Sequence, residues 1–188
     1  MARIFRFVRD GVVLVALLIL LVLIAAKLDQ SADRVIRGPF YAIDGDTLSA
    51  GGERLRLLGI DAPELDQTCE DQRGGRWECG KEARRLLARL TADARTECLG
   101  RDRDRYRRLL VRCHAGAENI NAALVRRGLA IASGRYAEEQ VAARRERQGL
   151  WAGDFESPRD WRASRDMTDD PSPLDAFMDW VRGMVNRE

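Results

Sequence analysis

RLLGIDAPE (56–64) sets one arginine and two carboxylates at opposite ends of a short apolar run. Pro63 fixes φ and donates no hydrogen bond, so a strand carried by Leu57, Leu58 and Ile60 must stop near Ala62. Asp61 and Glu64 then stand where a buried strand surfaces, with Arg56 at its other end. Acids beside a fork-shaped cation can grip a phosphate and move a proton next to it. Alone, the stretch reads equally well as a strand, a turn and a helix start. AIDGDTL (42–48) adds Asp44 and Asp46 at a tight Asp-Gly turn. DRYRRLL (104–110) adds Arg105, Tyr106, Arg107 and Arg108 at a second, charged turn. His114 is the only histidine, which removes zinc hydrolases, histidine-metal nucleases and Ser-His-Asp hydrolases.

A chain of 188 residues holds one domain with appendages and can build its own core. The net charge of +2 makes no overall electrostatic case for nucleic acid, but all the basic residues except Lys27 and Lys81 are arginine, the phosphate-gripping side chain. Strands are predicted over RGPFYAID (37–44), TLSAGG (47–52) and ERLRLLGID (53–61). A helix follows over 81–94, with Ala83, Leu86, Leu87 and Leu90 at spacings of three and four. RTECLG (95–100) and RRLLVRC (107–113) form a hairpin, 119–128 a helix with an Asn cap, GLAIAS (128–133) a short strand, and 137–149 a third helix. Residues 62–80, too long for a plain connection, read as a functional loop or insertion. This order predicts an α+β, mainly β fold: a five-stranded Greek-key barrel of the OB type with three helices, over 35–163.

GVVLVALLILLVLIAA (11–26) has no charged or polar side chain and follows Arg3, Arg6 and Arg9. Segment 1–27 is a single transmembrane helix, or else the apolar part of a cleaved signal peptide. The anchor is preferred, because Ile24-Ala25-Ala26 is a mediocre cleavage site. The arginines hold the N-terminus inside, so the remainder faces the periplasm or exterior after a linker at 28–34. Four cysteines with no zinc-ribbon spacing agree with export. Cys98 and Cys113 fall opposite each other in the predicted hairpin, leaving Cys69 and Cys79 to close a small loop. From Asp166 the chain reads as a flexible tether within a tail at 164–188, which ends in a short amphipathic helix bearing Leu174, Phe177, Met178, Val181 and Val185.

Taken together, Asp44-Gly45-Asp46-Thr47, Arg56 to Glu64, Tyr106-Arg107-Arg108 and Asn121 to Ala130 resemble, in order and spacing, the staphylococcal-nuclease-like (thermonuclease) family, and Trp151 matches its closing tryptophan. The resemblance covers about Val35 to Trp161. It implies an OB-fold, calcium-dependent endonuclease acting on DNA and RNA. Asp46, Asp61 and the backbone carbonyl of Ala62 would hold calcium, in keeping with hard oxygen ligands. Glu64 would hold and deprotonate the attacking water, while Arg56 and Arg108 would bind the phosphate oxygens. Arg105, Tyr106 and Tyr136 would contact substrate. Arg107 replaces the usual glycine, and Gly134 stands where some members have a second pocket aromatic besides Tyr136. Two alternatives remain: a membrane-tethered barrel that binds single-stranded nucleic acid without cutting it, and a tethered scaffold with no nucleic-acid role.

Overall fold

The computed structural model describes residues 2–29 and 33–169, with side chains of the first helix described over 11–25. That helix, α1, spans Ala2–Asp29. β1 (Arg34–Arg37), β2 (Tyr41–Ala42), β3 (Thr47–Ala50), β4 (Glu53–Leu57) and β5 (Ile60–Asp61) follow, then the small pair β6 (Cys69–Glu70) and β7 (Arg76–Trp77). Helix α2 (Cys79–Leu90) leads to β8 (Thr96–Arg103), β9 (Leu109–Ala115) and β10 (Glu118–Asn119). The remainder is α3 (Ile120–Arg126), β11 (Ile131–Ala132), α4 (Ala137–Arg145), a 3-10 turn at Gly149–Ala152, and α5 (Pro158–Asp169).

The main sheet runs β1-β8-β9-β4-β3-β2, with β10 added on β9. All neighbours are antiparallel except β4 and β9, which are parallel and set Arg56 beside Leu110. The expected five-stranded OB-type barrel is met as a curled, OB-like half-barrel in an α+β fold, because β1 and β2 end the path apart. β5 pairs with β11 instead, placing Asp61 opposite Ile131.

Period-two burial of β8 and β9 turns one face inward, where Leu109 and Val111 meet Leu48, Leu55 and Leu57. Helix α2 covers them with Ala83, Leu86 and Leu87, the predicted apolar stripe. Asn121, fully buried, accepts from the Cys113 amide at 3.0 Å and donates to the Leu58 and Val111 carbonyls at 3.0 and 3.2 Å. A buried amide satisfied this way fixes α3 against β9 and the end of β4. Its loss would cost the Cys113 amide and the Leu58 carbonyl a partner, while the Val111 carbonyl keeps the Leu58 amide. Asn119 caps α3 through the Ala122 amide, as expected.

Both disulfides form as expected, and the described cysteines include no free thiol. Cys98–Cys113 joins directly opposed residues of β8 and β9. Closing that 15-residue separation is worth about 2–4 kcal/mol.

Several expectations are corrected. RGPFYAID is not one strand: Pro39 donates no ladder bond, so β1 ends at Arg37 and β2 begins at Tyr41. The strand starts inside the expected linker, at Arg34, which pairs with Gly100. Helix α2 starts earlier than expected, at Cys79. The expected flexible tail at 164–188 does not begin loose, because α5 (Pro158–Asp169) runs into it, with the Ser157 hydroxyl accepting from the Asp160 amide at 3.2 Å. The expected tail helix falls among residues outside those described. A helix covers 11–25, but among the described residues no helix is long and apolar enough to cross a membrane.

Candidate active site

The Asp-Gly-Asp turn is built by its own side chains. Asp44 Oδ1 accepts from the Asp46 and Thr47 amides at 2.9 and 2.6 Å, which turns the chain into β3. Gly45 is required there: a Cβ would lie 2.6 Å from that of Ala62 and 2.7 Å from that of Ala83. This close approach buries Asp46, whose Oδ2 accepts from the Ala62 amide at 2.9 Å and whose Oδ1 accepts from Thr47 at 3.1 Å.

Arg56 projects from β4 between the acids. It forms ion pairs with Asp46 and with Asp61, the latter at 2.9 Å, and donates to the Ile60 carbonyl at 3.3 Å. Burial weakens its hold on its proton, which the Asp61 carboxylate partly offsets. Burial also lifts Asp44 above the usual carboxylate range, although hydrogen bonds from Thr47 oppose the shift. Glu64 is fixed through its backbone. Its amide donates to the side chain of buried Gln67 at 3.1 Å, and its carbonyl lies so close to Gly80 that any Cβ there would collide with it. Its carboxylate points into the opening.

Arg108 comes from the β8–β9 turn. Asp104 accepts from the Tyr106 and Arg108 amides at 2.9 Å each and pairs with the Arg108 guanidinium at 2.7 Å. Arg107 occupies the left-handed region, at φ 65°, so the arginine standing in the expected glycine position carries backbone strain. Tyr106 is exposed, with the Arg105 and Arg108 guanidinium carbons 4.7 and 5.4 Å from its ring centre.

These pieces enclose a cavity of about 520 Å³. Asp44, Asp46, Ala62, Pro63 and Glu64 line it together with Arg54, Arg56, Arg105, Tyr106 and Arg108, and Arg162 reaches in from α5. Asp61 stands just behind, covered by Arg56 and Arg162. Five guanidiniums around three carboxylates suit a polyanion. Asp46 and Asp61 offer carboxylate oxygens, the ligand type that suits a hard cation, although here those oxygens are taken by Arg56, Arg162 and the Ala62 amide. Among the described residues no group of three or more acidic, histidine or cysteine side chains gathers to hold a metal. A cation here would rest on those two carboxylates, a backbone oxygen, water and substrate.

The residues expected at the site therefore come together, with one exception. Tyr136 caps α4 in the left-handed conformation and packs against the core rather than lining the cavity. Its turn follows β11, and β11 is committed to β5. Arg162 and Arg54 were not anticipated. Arg54 was legible in principle, two residues before Arg56 on the same face of a strand. Arg162 gives no local signal, because its partners lie about a hundred positions earlier.

The staphylococcal nuclease homologue family matches residues 54–153, more than half of the chain. The chain belongs to the staphylococcal nuclease family. This nuclease is 38% identical over 130 residues to the succinoglycan biosynthesis protein ExoI of Rhizobium meliloti, covering 65% of this chain and 68% of that one. It is 28% identical over 158 residues to an uncharacterized endonuclease of Haemophilus influenzae, covering 78% and 81% of the two chains. A probable staphylococcal-like nuclease of rice, CAN4, is 30% identical over 128 residues, which are 64% of this chain but only 24% of that longer protein. The nuclease is thus a hydrolase of phosphodiester bonds, and its family segment carries Arg56, Asp61, Glu64 and Arg108.

Proposed function

We propose that this nuclease is a calcium-dependent endonuclease cutting DNA or RNA outside the cytoplasmic membrane, to which its N-terminal helix tethers it. The observation that carries the chemistry is the meeting of Arg56, Glu64 and Arg108 at one cavity beside Asp46 and Asp61. Arg56 and Arg108 grip the non-bridging oxygens of the scissile phosphate and stabilise the charge that grows on them. Glu64, at the mouth of the strand exit, holds the attacking water and removes its proton. Asp46, Asp61 and the Ala62 carbonyl would hold calcium, which when bound would supply Lewis-acid polarisation of the phosphate. Tyr106 and Arg105 offer a face and a charge to the flanking nucleotide.

A labelled oligonucleotide mixed with the full chain should be cut when calcium is added and spared once a chelator is present. Retention without cutting in calcium would favour the non-catalytic barrel, and neither binding nor cutting the scaffold.

For location, the support is the charge-free run at 11–26 behind Arg3, Arg6 and Arg9, together with two disulfides that persist in oxidising compartments. A reporter active only outside the cytoplasm, fused after Glu188, should be active. A reporter active only in the cytoplasm, working at the same position, would overturn the topology.

A further inference from the structure

Arg162 lies nine residues beyond the segment matched by the family, yet it makes the densest contacts with the acids of the site. One guanidinium nitrogen donates to Glu64 at 2.7 Å and the other to Asp61 at 3.1 Å. Burial opposes its charge, but the two carboxylates outweigh that and raise its affinity for the proton. Its place is built. Fully buried Gln67 donates to the Glu156 carbonyl at 2.7 Å while holding the Glu64 amide, so one side chain ties the start of α5 to the Glu64 segment. The Glu70 amide donates to the Asp154 carbonyl at 2.9 Å, and Leu150 packs on the Cys69–Cys79 bridge. Arg165 pairs with Asp66 one turn further along.

We propose that Arg162 is a third phosphate-binding arginine of this nuclease, one that exchanges its acidic partners for a substrate phosphate. The inference rests on the function proposed above. In the working site Asp61 is committed to a cation and Glu64 to water, so Arg162 loses both acceptors. Its side chain is 43% exposed and lines the cavity, where the incoming polyanion is the replacement acceptor. Arg56 and Arg108 already serve the scissile phosphate, which leaves Arg162, held beside Glu64 and Asp61, for the neighbouring one. The 62–80 loop, with its disulfide, then has a role: it is the seat that delivers α5 to the site.

The test compares wild type, Arg162→Ala and Arg162→Lys. Binding of a phosphorothioate-linked oligonucleotide that resists cutting is measured over a salt series, and cleavage kinetics are measured on the ordinary oligonucleotide. Arg162→Ala should raise both Kd and KM by about tenfold, the scale of one charge-assisted hydrogen bond. Its kcat should stay within about threefold, and the salt slope should fall by about 0.7, the value for one single-strand phosphate contact. Arg162→Lys should recover part of the affinity, because the charge returns without the fork. Unchanged Kd and KM for Arg162→Ala would overturn the proposal. So would tighter binding with faster cutting, which would make Arg162 only a cover over the acids. Should wild type fail to cut in calcium, the proposed function falls, while the Kd and salt comparison still decides the role of Arg162.

Discussion

Glu64→Gln should lower turnover by about 10²-fold or more, the range for losing a positioned base, while calcium and oligonucleotide still bind. The geometry makes this substitution unusually clean. Glu64 is held through its backbone, by Gln67 on its amide and by the close packing of Gly80 on its carbonyl, so a neutral side chain of the same shape leaves the loop in place. Its carboxylate is 36% exposed and contributes little to the core, so the melting temperature should hardly move. His114 offers no substitute. It sits on β9 opposite Glu97 and Asn119 and lines no part of the cavity. His114→Ala should therefore cut normally. Single-turnover kinetics on both variants check the assignment: a dead His114→Ala beside an active Glu64→Gln would show that the site has been assigned to the wrong residues.

Arg56→Leu should damage both activity and stability. Arg56 is the partner shared by Asp46 and Asp61, whose side chains are only 5% and 13% exposed. Its removal leaves the buried Asp46 charge without an ion pair, while Asp61 keeps Arg162, at a cost of about 3–5 kcal/mol. Turnover should fall by about 10²–10³-fold with the loss of a preorganised donor to the phosphate. Arg56→Lys should spare much of the stability but little of the turnover, since an ammonium keeps the charge and loses the fork. Thermal unfolding with and without calcium separates the two effects. Calcium should restore stability to Arg56→Leu more than to wild type, because a cation between Asp46 and Asp61 replaces the missing guanidinium. Equal shifts in the two proteins would remove Asp46 and Asp61 from the calcium site.

What could be read beforehand was local. Asp44 and Asp46 announce a turn because their carboxylates cap nearby amides, and Pro63 announces the end of a strand because it cannot extend a ladder. The α2 stripe and the Asn119 cap are equally local. The Cys98–Cys113 pair was legible because a hairpin with its turn near Arg105 and Tyr106 leaves only one register. What escaped is set by long-range packing. Pro39 splits a run that looked continuous. α5 is ordered by Gln67 and Glu70, about ninety positions upstream, and Tyr136 is turned toward the core by the commitment of β11 to β5. Arg162 depends wholly on such contacts. Its own surroundings, DWRASRD, are those of any solvated helix.

The parallel pairing of β4 with β9 bears on the order of assembly. Arg56 sits on β4 and Arg108 just ahead of β9, parallel neighbours that no hairpin can join, so they meet only after more than fifty intervening residues have been gathered, including α2 and β8. Closing such a loop is entropically slow, and the contacts that reward it arrive late. The local pieces, α2 and the β8–β9 hairpin, can form first, but neither contains more than one of the residues that act on phosphate. A half-folded chain is therefore not a weak nuclease but none at all. Cutting activity should appear only once β4 has paired with β9, so its onset during refolding reports formation of that pairing.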